Sequence, residues 1–500
     1  MASPLSDTTS CREERRAMKT GRRQFLFGAA AFASCFGFDA RAGERKLRFG
    51  VMSDVHIAVG GDGKPGWTYG RFVRALEWMK AQDVDAVMIA GDLTEHGLDT
   101  EMALVSKTWF SVFPDDRGLN GKKVVRLITS GNHEFAGWSY GVSHGDKDAE
   151  ANFRNRSMQA NPGEFWERYW HEPYADIFTK EVNGHTFVLS HYNCAQGLKA
   201  CLERLKPDPT RPFFYCQHVH PKGTVCWEGC SDDGGGATEA LSNFPNAIAF
   251  SGHTHEPAND PRSIWQGAFT SIGTGAVSQL FLQRGRENYL LEKGDKRDPE
   301  LPRMKLSDGT SALLVDVYDD RLVLSYRSAL SGFEDTICED RVVRLPACTS
   351  DEARPWQFSS RKAAAQPPQF AAGTSVSVEQ PSQPGKTRKG KPSRQIVVSF
   401  PSAVRSYADG GLKDYEIAAE VRMSGGRVSP GPVRRLYALG HYLPEAKAHS
   451  LVKRKGWGVE RCPFARDLFP DGAEFRFRVT PFDAWDKPGR PIFSDWTKRH

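Results

Sequence analysis

The sequence predicts an α/β domain followed by an all-β sandwich. Three observations carry this. From Lys46 onward, short apolar runs alternate with stretches of helical periodicity. Each early run stops at a Gly, Asp, Ser or His, as strands do where chemistry is presented at their ends. Beyond residue 367 strand-like runs follow one another with turn residues between them.

The elements are expected in this order. Leu47–Met52 is a buried strand stopping at Ser53-Asp54, and Tyr69–Gln82 carries Phe72, Leu76 and Met79 at helical spacing. Ala86–Ile89 is a second strand ending at Gly91-Asp92. A helix over Met102–Val112 leads to Val124–Ile128, which stops at Gly131-Asn132. Residues 136–175, rich in Trp and Tyr, read as an insertion over the strand ends. Ile177–Val182 and Thr186–Ser190 form a hairpin about Asn183-Gly184. Phe213–Cys216 and Ala247–Phe250 are further strands, ending at His218 and at Gly252-His253. A closing hairpin spans Ala312–Tyr318 and Leu322–Tyr326. These give a catalytic domain over 43–348. The aperiodic stretch 349–367 reads as a linker, and 368–500 as the sandwich, with strands near Thr374–Val378, Ile396–Phe400, Tyr415–Val421, Arg435–Tyr442 and Phe475–Val479.

Composition allows a sizeable core, with 39% hydrophobic and 11% aromatic residues. The net charge of +6 over 500 residues is scattered and does not call for a nucleic-acid partner. One basic run, Lys386–Arg394, reads as a solvated loop between sandwich strands. No apolar run after residue 40 is long enough to span a bilayer, so the mature chain is expected without a transmembrane helix.

Residues 1–42 read as a twin-arginine export signal. Arg22-Arg23 precedes a short apolar run, Phe25–Phe38, and Ala40-Arg41-Ala42 has the small residues of a cleavage site. A periplasmic or secreted location follows. Ala33-Ser34-Cys35 offers the alternative of a lipid anchor at Cys35. In such a compartment the cysteines beyond the signal can pair; Cys226–Cys230 and Cys194–Cys201 are local candidates.

Five clusters can carry chemistry: Asp54-Val55-His56, Gly91-Asp92, Gly131-Asn132-His133-Glu134, His218, and Gly252-His253-Thr254-His255. Each sets oxygen or imidazole donors where an apolar strand ends, so that distant side chains can converge. Alone, each is weak; an Asp-x-His triplet or a Gly-Asp turn is commonplace. Together and in order they point to metal chemistry. Imidazole and carboxylate donors suit Zn, Mn or Fe, and the lack of thiolates argues against a structural zinc site. In Gln217-His218-Val219-His220 two imidazoles compete. His218, which closely follows the strand, is the expected ligand and His220 the alternative. Glu134 and Glu95-His96 could orient ligand imidazoles, whereas His185 and His191 read as structural.

This pattern over about residues 46–345 resembles the calcineurin-like metallophosphoesterases. The resemblance implies a layered α/β/β/α domain with two divalent or trivalent transition-metal ions. Carried over by motif, Asp54, His56 and His255 hold the first ion, Asp92 bridges, and Asn132, His218 and His253 hold the second. His133 faces the substrate as general acid or charge stabiliser. A metal-bridging hydroxide would hydrolyse a phosphate mono- or diester, either a small molecule or an envelope component. The stretch from Phe475 to Gly489 resembles the late strands of fibronectin type III domains, with Phe475 where that family usually has Tyr. The rival reading is a cell-envelope binding protein with a vestigial metal site, against which the complete ligand set speaks.

Overall fold

The structure, a computed structural model, describes residues 41–142, 146–225, 230–282, 285–288, 306–350, 354–387, 389–404, 411–438 and 458–499. The export-signal reading, including Arg22, Arg23 and Cys35, lies outside these residues apart from Arg41 and Ala42, as does Cys226. Cys194 and Cys201 are separate thiols. Arg45–His500 forms one compact unit, and no helix among the described residues is long and apolar enough to cross a membrane.

Two mixed six-stranded sheets carry the first part of the unit. One has β1 (Leu47–Met52), β2 (Ala86–Ala90) and β3 (Val125–Thr129) as parallel neighbours. On the other edge of β1 it continues antiparallel through Ser311–Val317, Arg321–Ser328 and Arg341–Arg344. The second sheet runs from β4 (Ile177–Val182) through β5 (His185–Ser190), β6 (Phe213–Cys216) and β7 (Ala247–Ser251) to Thr270–Gly273 and Ile264–Gln266. Four of its strands, from β5 to Thr270–Gly273, run parallel.

The central strands are apolar on both sides because both sides are covered. Phe49 of β1 lies edge-on to Phe187, Phe214 and Phe250 of the second sheet, with ring centroids 5.1–5.7 Å apart. Met88, Leu189 and Ile272 share this core between the sheets. On the outer face of the first sheet, the helices Tyr69–Ala81 and Asp99–Val112 bury Phe72, Leu76, Met79 and Trp109 against Val87 and Ile89. On the outer face of the second, Leu198–Leu205 and Gly236–Leu241 bury Leu198, Leu202 and Leu241 against Val188 and Tyr215. The expected insertion at 136–175 contains the helices Lys147–Asn155 and Pro162–Trp170. Trp166 and Trp170 of the second join the helical core, which gives that aromatic richness a packing role.

The later region is β-rich. A three-stranded and a five-stranded sheet share one core, in which Val398 and Phe464 of the former meet Ile417 and Phe477 of the latter. The longest ladder pairs Asp414–Arg422 with Glu474–Phe482. The stretch expected as a linker contains a short helix, Phe358–Ala364. Its Arg361 is buried and donates to the Pro261 carbonyl, and the Trp356 indole donates to the Val342 carbonyl at 2.9 Å. The parallel strands β1–β3 and β6–β7 all point their carboxyl ends at one place.

Candidate metal centre

The backbone makes hairpin-tight turns where these strands end. Asp54, His56, Asp92, His253 and His255 all have φ between 50° and 69°, a region that non-glycine residues rarely occupy. Strain of this kind costs about 1–3 kcal/mol per residue and persists where surrounding structure over-determines it. Here the loops are locked to one another. Asp54 N donates to the Gly91 carbonyl at 3.1 Å, Val55 N to the Asp92 carbonyl at 2.8 Å, and Gly252 N to the His218 carbonyl at 2.9 Å. The glycines before the ligand positions are required by proximity. A Cβ on Gly131 would lie 2.2 Å from Asp92 Oδ1, and one on Gly252 would lie 2.6 Å from Asp54 Oδ2.

The side chains gather into two groups that share Asp92. Asp54, His56, Asp92 and His255 form one, and Asp92, His218 and His253 the other, each with donor atoms within 4.8 Å of one another. Asn132 joins the second group, its Oδ1 lying 3.0 Å from His218 Nε2. His133 is a member of neither group, although its Nε2 lies 3.9 Å from Asp92 Oδ2. It stacks edge-on to His56 at 4.4 Å and forms a third set with His56 and Glu95. His220 belongs to no group, and its backbone carbonyl accepts from Asp233 N. His185 and His191 also lie outside the groups. His191 is packed against Tyr174 and Trp166, its Nδ1 accepting from Ser130 N at 3.1 Å.

Whether these residues fit metal ions can be decided from their protons. A backbone carbonyl only accepts, so each ring nitrogen facing one must carry the hydrogen. His255 Nδ1 faces the Gln279 carbonyl at 2.6 Å and His218 Nδ1 faces the Ala90 carbonyl at 2.8 Å. His56 Nδ1 faces the Glu95 carboxylate at 3.0 Å. In the neutral imidazoles all three Nε2 atoms are thereby lone pairs, and they lie against other acceptors. His56 Nε2 lies 3.2 Å from His255 Nε2, His255 Nε2 lies 3.1 Å from Asp54 Oδ1, and His218 Nε2 lies 3.1 Å from Asp92 Oδ2. Such contacts in a buried site need a proton or a metal cation between the two atoms, and the donor set is that of a metal with oriented imidazoles. The residues fit.

Electrostatics give the same answer. Burial opposes ionisation of Asp54, but His255 and then His218 together outweigh it and hold the carboxyl down at about 2; Asp92 is likewise held low by His218, with His56 and His133, against its burial. Burial pulls His218 down, yet Asp92 lifts it to about 9, so a positive charge is wanted there, and a metal ion can take the place of that proton. Burial, then repulsion from His218, pushes His253 down to about 4, leaving it a neutral ligand.

Glu134 has a role that its position in the sequence only hinted at. Its carboxylate accepts from Gly131 N at 2.7 Å, Asp92 N at 3.1 Å and Thr94 N at 2.8 Å, tying two ligand loops together. Burial and the Asp92 charge push its carboxyl up to about 7. Ser53, whose hydroxyl donates to Asp54 Oδ2, and Gln279, whose carbonyl orients His255, carried no signal at all in the sequence.

Residues 47–257 match the family model for calcineurin-like phosphoesterases. No curated protein matches the chain. Among solved structures it is similar to a dimetal phosphatase from Danio rerio, at 13% identity and a TM-score of 0.34, over 60% of this chain and 99% of that one. It is also similar to a predicted phosphoesterase from Streptococcus pneumoniae TIGR4, at 13% identity and a TM-score of 0.25, over 60% of this chain and 97% of that one. All the converging donors lie on the strand ends inside the matched span, and the chain is a metal-dependent phosphoesterase whose residues 47–257 match that family's model.

Proposed function

We propose that the chain is an exported hydrolase of phosphate esters with a dinuclear centre. Asp54, His56 and His255 would hold one ion, Asn132, His218 and His253 the other, and Asp92 both. The observation that carries this is the sharing of Asp92 between the two donor groups. Manganese, iron or zinc suits the imidazole and carboxylate donors. Two such cations supply charge neutralisation for a phosphoryl group and a more acidic water.

The chain's own residues do the rest. Glu95, Gln279 and Ala90 fix which imidazole nitrogen is available, and Glu134 fixes the spacing of the Asp92 and Asn132 loops. His133 Nδ1 donates to the Glu95 carbonyl at 2.6 Å, which orients the ring and leaves Nε2 to face the substrate. From there a protonated His133 can hand a proton to the departing alcohol oxygen. No covalent phosphoenzyme is needed, because no separate nucleophile stands among the grouped residues. The test is metal analysis of purified protein beside a panel of mono- and diesters. About two ions per chain and hydrolysis of at least one ester class are expected, and fewer than one ion would refute the dinuclear reading.

Export rests on Arg22-Arg23, the apolar run behind them and the Ala40-Arg41-Ala42 site. Replacing both arginines by lysine is expected to leave unprocessed precursor inside the cell. Sequencing the mature N-terminus distinguishes cleavage after Ala42 from lipidation at Cys35. The fibronectin type III reading of the later region is supported by its two sheets around one core and by the Phe475–Gly489 pattern.

A further inference from the structure

Among the exposed large apolar side chains, three stand beside the histidines of the candidate metal centre. Trp67, Tyr140 and Phe281 are 58%, 60% and 40% exposed. Phe281 lies flat on His255, with ring centroids 4.2 Å apart and planes at 14°. Tyr140 leans on His133 at 5.1 Å. Trp67 is held from behind by the Arg71 guanidinium, 4.9 Å from its ring. Arg71 in turn donates to the Ser278 carbonyl and to Thr310 Oγ1, both at 2.9 Å. The Trp67 loop is pinned as well, by Thr68 Oγ1 donating to the His56 carbonyl at 2.9 Å. These rings are therefore placed rather than merely left exposed.

Trp67 and Phe281 line a cavity of about 270 Å³ together with His56, His133 and His255. A cavity of roughly 150 Å³ accepts benzene, so this one has room for one or two fused rings. A second cavity of about 270 Å³ reaches the site beside His218 and is lined differently, by Asn193, Gln217 and Asp232 among others. His133 lines only the aromatic cavity. The alcohol that receives the proton from His133 must leave on that side.

We infer that the substrates are phosphate esters whose leaving alcohol carries a planar aromatic ring, bound between Trp67 and Phe281. This rests on the phosphoesterase reading above. Hydrolysis forms a P–O bond from water, which releases a proton to solvent, breaks the P–O bond to the alcohol and protonates that alcohol oxygen from His133, which then regains a proton from solvent. The ring contributes binding on the leaving side. Aromatic stacking is sequence-tolerant for nucleobases and equally available to simple arenes.

The experiment compares methyl phosphodiesters of benzyl alcohol, n-butanol and adenosine (through its 5′ oxygen), whose alkoxides are of similar basicity. In the wild type kcat/KM for the benzyl ester is expected to exceed that for the butyl ester about tenfold. Trp67→Ala should bring that ratio close to one, and Trp67→Phe should restore most of it. An adenosine ester better than the benzyl ester identifies a nucleobase; the reverse order identifies a simple arene. Equal rates for benzyl and butyl esters in the wild type, or a ratio unmoved by Trp67→Ala, would overturn the inference. Hydrolysis of none of the three would instead count against the phosphodiesterase activity beneath it. Ring binding is then decided by ligand-observed NMR on metal-stripped protein. Saturation transfer to benzyl alcohol or adenosine in the wild type but not in Trp67→Ala supports the pocket, and no difference between the two proteins sinks it.

Discussion

Asp92 and Asp414 are both buried carboxylates at or just beyond a strand terminus, yet their surroundings differ in kind. Asp92 faces imidazoles whose available nitrogens are acceptors, and it sits at a φ of 51°. Asp414 faces fixed cations: Arg286 donates to it at 3.0 and 2.7 Å and Arg435 at 3.2 Å. The same contrast holds more widely. In the later region Glu416, Glu420 and Glu474 pair with Arg478, Arg476 and Arg422 across the Asp414–Arg422 ladder. A carboxylate that already has its cation stabilises a fold. One whose neighbours are imidazoles has partners that can give up their protons to a metal ion.

The sharpest way to break this contrast is Asp92→Asn. The amide cannot hold two ions by charge, so hydrolysis of a generic aryl phosphodiester is expected to fall by about 10³-fold or more, since a bound metal supplies several kcal/mol of charge stabilisation. Metal content should drop below two ions per chain. Retention of full activity and full metal would mean that Asp92 is an ordinary buried carboxylate after all.

His133→Asn probes the edge of the same site and should keep both ions. Turnover of an alkyl ester is expected to slow by about 10²–10⁴-fold, and an aryl ester with an acidic leaving group much less. Equal losses on both esters would favour charge stabilisation over proton transfer. Loss of an ion would make His133 a ligand, which its place outside the two groups that share Asp92 argues against.

Asp414→Asn tests the other half of the comparison. It strips the charge from a buried pair and leaves Arg286 and Arg435 against an amide, a loss of about 3–5 kcal/mol of stability. Thermal unfolding should shift down while metal content below the transition stays intact. The segment that carries Arg286 also touches the site. Its Gln279 carbonyl orients His255, and Asn288 exchanges two hydrogen bonds with Tyr437. If the variant also lost metal, the clamp on Arg286 would be part of what holds the ligand loops, and the two regions would act as one.

Much of the site was legible because strand ends announce themselves. An apolar run that stops at Gly-Asp or Gly-Asn-His-Glu shows where side chains converge, and the glycines are there because a Cβ would strike a ligand carboxylate. The helix Tyr69–Ala81 was visible from its apolar spacing, and the second was expected over Met102–Val112 but begins at Asp99, three residues earlier. What stayed hidden acts through the backbone or through shape. Gln279 contributes a carbonyl, which any residue could offer, so its identity carries no information. Ile264–Gln266 is too short to show a period. Phe281 looks like any core aromatic until it is found lying on His255.

His191 offers the smallest effect and a control for the whole comparison, because it is a buried imidazole with no carboxylate to answer it. Its Nδ1 accepts from Ser130 and its ring is stacked on Tyr174 at 4.5 Å, so it has no route to a stabilised proton. Burial, with a smaller push from Lys180, lowers it to about 3 from the ordinary 6.5. The folded state therefore stays neutral where the unfolded chain begins to take up a proton. Stability is whole above about pH 6.5 and falls as the pH drops toward 3, since the unfolded state binds more protons. At pH 5 the loss from this group is about 2 kcal/mol, from roughly 1.4 kcal/mol per unit over about one and a half units. His191→Phe removes the titrating group while keeping a ring among Trp166, Tyr174 and Phe178. The difference in unfolding free energy between pH 7 and pH 5 should shrink by about that amount in the variant. His218, lifted rather than lowered by its carboxylates, would show the opposite dependence in metal-stripped protein. An unchanged pH dependence in His191→Phe would mean that the imidazole finds a proton-stabilising partner on protonation, and burial alone would no longer separate the structural histidines from the ligands.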